Sequence, residues 1–139
     1  MNPFAAAKKF ASGPALLAGA AAALAGLALA NHAAARRAER EHPPRGRFVE
    51  VDGVRLHYTD RGAGQPIVLI HGNAVTGDDY DTSGVAERLI GTNRVIVFDR
   101  PGFGHSDRPH GRSWTAAAQA DLLHKALKRL GVERPAVVG

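Results

Sequence analysis

The chain has 139 residues, one domain's worth or less, and its 45% hydrophobic and 22% charged residues make an ordinary globular mixture. It contains no Cys, which excludes disulfides, thiolate nucleophiles and Cys-based zinc sites. The formal charge is +5, but seven Lys and Arg against two Glu stand up to Arg47 and eleven of each sign follow it; the folded part is therefore neutral, and no nucleic-acid partner is expected.

The N-terminal stretch from Ala11 to Ala30 carries no charge and is mostly Ala and Leu. Twenty residues of helix rise about 30 Å, close to the hydrocarbon thickness of a bilayer. Lys8 and Lys9 precede it, and Arg36, Arg37 and Arg40 follow. The reading favoured is a retained membrane anchor, because arginines just after the span resist translocation. Two others stay open: a signal peptide cleaved after Ala30, on the small-x-small pattern of Ala28-Leu29-Ala30, and an Ala-rich soluble tail. Asn31 to Arg47 reads as a linker, since His42-Pro43-Pro44-Arg45-Gly46 ends any helix and favours an extended spacer. The division expected is thus 1–47, anchor or signal plus linker, and 48–139, a folded core.

Phe48 to Val51 and Val54 to Thr59 read as two strands joined by Asp52-Gly53, a two-residue link that tolerates positive φ at both positions. Val54, Leu56 and Tyr58 alternate with Arg55, His57 and Thr59, which puts His57 on the wet face. Next comes Pro66-Ile-Val-Leu-Ile-His-Gly-Asn73, an apolar run leading straight into a polar turn. Such a run suits a strand buried on both faces in a parallel sheet, where ligands bind at the carboxyl ends of strands. Gly72 is expected to allow a sharp turn and a close approach. A short helix is expected from near Thr82 to Ile90, with Val85, Leu89 and Ile90 inward. Asp78, Asp79 and Asp81 at its start read as dipole partners rather than a metal site.

Arg94 to Phe98 is the next buried strand, followed by a Gly- and Pro-rich loop from Arg100 to Pro109. Gly104-His105-Ser106 imitates the start of Gly-x-Ser-x-Gly, but Arg108 stands where the last Gly belongs, and Ser106 reads as a loop residue. Thr115 to Leu130 is the best helix, capped by Thr115, with Gln119, Leu122, Leu123, Ala126, Leu127 and Leu130 forming an apolar stripe and His124 on the polar side. Pro135 to Val138 begins a third buried strand.

Taken in order, Val54 to Tyr58, the Leu-Ile-His-Gly-Asn run, Asp99-Arg-Pro-Gly-Phe-Gly104 about thirty residues later, and Ala136-Val-Val-Gly139 resemble the N-terminal part of the α/β-hydrolase family. The resemblance covers roughly Phe48 onward. It implies an α/β fold: an antiparallel hairpin, then parallel strands with crossover helices, here preceded by one hydrophobic helix. It also implies a small-molecule substrate and no cofactor or metal. By the same resemblance the backbone N–H of Asn73 is one oxyanion-hole donor, His71 and Gly72 shape its loop, and Gly139 is the first Gly of the nucleophile elbow. The nucleophile would then fall two positions after Gly139, with the acid and base later still. The chain is accordingly expected to be a fragment lacking the triad, and inactive alone. The intact protein would cleave an ester with a Ser nucleophile, or an epoxide or carbon–halogen bond with an Asp. Asn73 also matches the His-Gly-Asn of haloalkane dehalogenases, where the amide side chain can serve a leaving halide. A non-catalytic, membrane-tethered partial fold is the remaining reading.

Overall fold

A computed structural model describes residues 13–139; Lys8, Lys9, Ala11 and Ser12, at and before the start of the expected apolar span, lie outside the described residues. The chain divides into two units between Pro43 and Pro44. The first is a single helix, α1 (Gly13–Glu41), exposed along its whole described length. It is long and apolar enough to cross a membrane. The expected linker from Asn31 is corrected here: the helix continues to Glu41. Residues 32–41 are rich in Ala, Arg and Glu, all good helix formers, and Arg37 pairs with Glu41 one turn on at 2.8 Å. Only Pro43 and Pro44 stop it.

The second unit is a five-stranded sheet. Its strands are β1 (Arg47–Val51), β2 (Val54–Arg61), β3 (Gln65–Ile70), β4 (Asn93–Phe98) and β5 (Ala136–Val138), in the spatial order β1-β2-β4-β3-β5. The hairpin between β1 and β2 turns on Asp52 and Gly53, at φ 51° and 72°. β2 pairs with β4 antiparallel, while β3 pairs with β4 and β5 parallel. The helices are α2 (Asp78–Thr82), α3 (Val85–Leu89) and α4 (Ala116–Arg129).

β3 and β4 are both covered on two faces, β4 the more completely. Val95 to Phe98 are all buried, whereas in β3 only Val68 and Leu69 are. The alternation along β4 divides the core in two. Ile96 and Phe98 pack with Val68, Leu56 and the α4 stripe of Leu122, Leu123, Ala126 and Leu127. Val95 and Val97 pack with Leu69 and Ala86 on the other face. The Thr115 hydroxyl accepts from the Ala118 N–H at 3.2 Å and caps α4. His124 is exposed on it.

One further expectation is corrected. The helix from Thr82 to Ile90 is broken into α2 and α3 by Gly84, whose φ of 74° no continuous helix accepts. That break rotates the register, so Ala86 is buried and Val85 exposed. Within this chain β5 has β3 on one side, and Val137 is 59% and Val138 51% exposed. A groove of about 740 Å³, lined by Ile70, Leu123, Leu127 and Val137 among others, lies between α4 and the β3–β5 end of the sheet.

An exposed apolar edge invites strand pairing between molecules. Residues 44–139 produced alone are expected to elute as aggregate on size-exclusion chromatography. Val138→Lys should recover monomer, and an unchanged profile would show that β5 is not the sticking surface.

Candidate active site

The loops that follow β3 and β4 meet the end of β5 at one edge of the sheet. Leu69 pairs with Val138, which sets Gly139 beside Ile70, with the Ile70 carbonyl 3.4 Å from where a Cβ on Gly139 would stand. His71, Gly72 and Asn73 follow β3 directly. The three sequence-derived residues and Gly139 are thus brought to neighbouring carboxyl ends.

His71 is buried, and both its ring nitrogens are occupied. The backbone N–H of Arg100 donates to Nε2 at 3.0 Å, so Nε2 is the acceptor and Nδ1 carries the hydrogen. Nδ1 then donates to the Gly72 carbonyl at 2.8 Å. This leaves no free lone pair with which to abstract a proton. Gly72 is not at positive φ, and within this chain a Cβ there would meet nothing within 4 Å. It contributes its carbonyl. The left-handed residue of the loop is Ala74, at φ 64°. Asn73 is exposed. Tyr80 donates its hydroxyl to the Ile70 carbonyl at 3.0 Å, and burial pushes that phenol's pKa up.

The expectation for His57 is corrected: it is 6% exposed, not on a wet face. The loop after β4 folds back over β2 and covers it. Its ring packs between Phe48 and His105, with centroids 5.3 and 5.2 Å away. Gly46 N–H donates to its Nε2 at 3.1 Å, and its Nδ1–H donates to Asp99 Oδ2 at 2.9 Å. Ser106 is also buried, yet its hydroxyl is spent on backbone. It donates to the Asp99 carbonyl at 2.7 Å and accepts from the His57 N–H at 2.9 Å. A Ser, a His and an Asp therefore meet here without forming a nucleophile–base–acid chain, because the serine faces the His57 main chain and not its ring.

Asp99 is the residue that pattern reading missed. Its carboxylate also accepts from Gly77 N–H at 2.8 Å and His105 N–H at 3.0 Å. Gly104 sits at φ 50°, and a Cβ there would lie 2.1 Å from Asp99 Oδ2, so only glycine permits the loop to close on the carboxylate. A carboxylate at the end of a buried strand has to be supplied with donors, which is the signal that would have marked it. Among the described residues, no cluster of three or more His, Cys, Asp or Glu is arranged to hold a metal ion. Of the three aspartates at α2, Asp81 pairs with Arg61.

Burial alone would raise the Asp99 carboxyl, but hydrogen bonds from His57, His105 and Gly77 outweigh it and hold the pKa below 3.8. A depressed folded pKa stabilises the fold above the unfolded value, and that contribution is lost as pH falls through the folded one. Asp99→Asn is expected to cost about 1.5–3 kcal/mol at neutral pH, the worth of hydrogen bonds to a charged group. In urea melts the difference from wild type should shrink as the pH drops below 3.8. A difference that does not change with pH would mean that Asp99 is not ionised in the fold.

Residues 65–139 match the family model described as alpha/beta hydrolase fold. The chain is 32% identical over 102 residues to the 2-hydroxymuconate semialdehyde hydrolase of Pseudomonas putida, covering 73% of this chain and 36% of that protein. It is 33% identical over 93 residues to haloalkane dehalogenase 2 of Mycobacterium tuberculosis, covering 67% of this chain and 32% of that one. Among solved structures, a meta-cleavage product hydrolase from Pseudomonas fluorescens superposes with a TM-score of 0.59 at 32% identity, over 68% of this chain and 35% of that one. An esterase from Exiguobacterium antarcticum gives a TM-score of 0.60 at 27% identity, over the same 68% and 35%. The chain spans about a third of the length of these relatives. With its family model, its five-stranded mixed sheet and its β3 and β4 loops in agreement, the chain belongs to the α/β-hydrolase family.

Proposed function

We propose that the protein is an ester hydrolase acting through a covalent acyl intermediate, to which these residues contribute one half of an oxyanion hole. Acyl transfer builds negative charge on a carbonyl oxygen, and fixed N–H donors stabilise it. The reading gives the Asn73 backbone N–H that role, with Gly139 opening the nucleophile elbow and the nucleophile two positions further in that register. The observation that carries it is the pairing of β3 with β5 in parallel, which sets Gly139 beside Ile70 and hence beside the Asn73 loop. His71 and Gly72 support the loop through their mutual hydrogen bond.

The similarity to a haloalkane dehalogenase, together with the exposed Asn73 amide, supports a second reading, in which an Asp nucleophile displaces halide or opens an epoxide. The two differ in what Asn73 does. In the full-length enzyme, Asn73→Gly is expected to retain p-nitrophenyl ester turnover, because the backbone N–H survives. A loss as large as that from removing the nucleophile, with halide release from a bromoalkane in the wild type, would favour the second reading. Ester turnover abolished by Ser106→Ala would overturn the placement of the nucleophile beyond Gly139.

The enzyme is further proposed to be membrane-anchored by α1. That helix is long and apolar enough to cross a bilayer, and Arg36, Arg37 and Arg40 after its apolar part resist translocation. After carbonate extraction, the full-length protein should remain in the membrane pellet. Its recovery in the supernatant would remove the anchor.

A further inference from the structure

We propose that Asp99 and Arg100, consecutive residues at the end of β4, act as positioning residues that clasp the Asn73 loop at both of its ends. This rests on the oxyanion role given to Asn73.

The loop runs from His71 to Gly77. At its start, Arg100 holds His71 twice, by its backbone N–H to Nε2 at 3.0 Å and by Nη1 to the His71 carbonyl at 3.2 Å. At its finish, the Asp99 carboxylate takes the Gly77 N–H at 2.8 Å. Between these points Gly72, Asn73, Ala74 and Val75 are exposed. Ala74 is nevertheless in the left-handed region at φ 64°, a conformation that a non-glycine residue keeps only when its surroundings impose it. A donor for developing charge has to be fixed before the charge appears. In this loop, the fixing is done from the ends.

The Arg100 side chain is held in turn. Its Nε donates to Gln119 Oε1 at 2.9 Å, and Gln119 Nε2 donates to the Trp114 carbonyl at 2.8 Å. Its guanidinium lies over the Phe103 ring at 5.1 Å, and that ring meets His71 edge-on at 5.2 Å. The guanidinium therefore bridges α4 to the loop, using Nε on one side and Nη1 on the other. A lysine ammonium keeps the charge but has no such fork.

Amide hydrogen–deuterium exchange on the full-length protein reads the clasp without requiring activity. In Arg100→Gln, exchange over residues 71–77 should quicken at least about tenfold while residues 93–98 stay within about twofold of wild type. Arg100→Lys should behave like Arg100→Gln. With p-nitrophenyl esters, kcat should fall on the order of tenfold to a hundredfold with KM nearly unchanged, as misplacement of a preorganised group predicts. Wild-type exchange over 71–77 in Arg100→Gln, or full rescue by Arg100→Lys, would overturn the clasp. If Arg100→Gln loosens 93–98 as well, Gln119→Leu decides: faster exchange over 71–77 alone supports the clasp, and unchanged exchange overturns it. If the wild type turns over no ester, the oxyanion reading falls, while the exchange result still judges the clasp.

Discussion

A carboxylate placed where water cannot reach it must receive hydrogen bonds from the chain itself, and Asp99 receives them from three separate segments. His57 reaches it from β2, Gly77 from the end of the loop after β3, and His105 from the loop after β4. None of these segments is adjacent to another in sequence. One ionised group thereby fixes the relative position of a strand and two loops at the edge where the family places its chemistry. Gly104 and the hydroxyl of Ser106 are fitted to the same requirement, the first by lacking a side chain and the second by binding main chain on both sides.

The arrangement works because the strand that delivers Asp99 is the most enclosed in the sheet. β4 has neighbours on both sides and side chains buried on both faces. Phe98 at its end is fully buried and Asp99 directly after it is 4% exposed, and the polar bonds inherit that rigidity. The loop after β3 has less intrinsic support, since only Val68 and Leu69 of β3 are buried. It depends on what β4 offers it.

Much of the fold was legible in the residues. The Asp52-Gly53 turn, the apolar runs of β3 and β4 and the stripe and cap of α4 are local signals, and each element lies within a residue or two of where they place it. The His-Gly-Asn and Asp-Arg-Pro-Gly-Phe-Gly stretches carried the family. What failed depended on partners distant in sequence. His57 obeys an alternation that puts it outside, and only a loop some fifty residues on covers it. Gly84 was an isolated glycine whose left-handed backbone no periodicity reveals. The extension of α1 to Glu41 was hidden by its charges, which resemble a linker until the Arg37–Glu41 spacing is counted. Asp99 was read only as part of the stretch that carries the resemblance, because its three donors come from elsewhere in the chain.

The position of β4 between β2 and β3 also governs the order in which the sheet can come together. β2 and β3 are consecutive in the chain but never touch as neighbours; a gap one strand wide separates them. Until β4 arrives, the hairpin of β1 and β2 and the strand β3 share no hydrogen-bonded ladder. Arg61 must wait for Val95, and Ile67 for the same residue from the other side. Closing that span costs chain entropy before any pairing repays it. A single strand, β4, therefore supplies the hydrogen-bonded ladders that join the hairpin to β3 and make them one sheet.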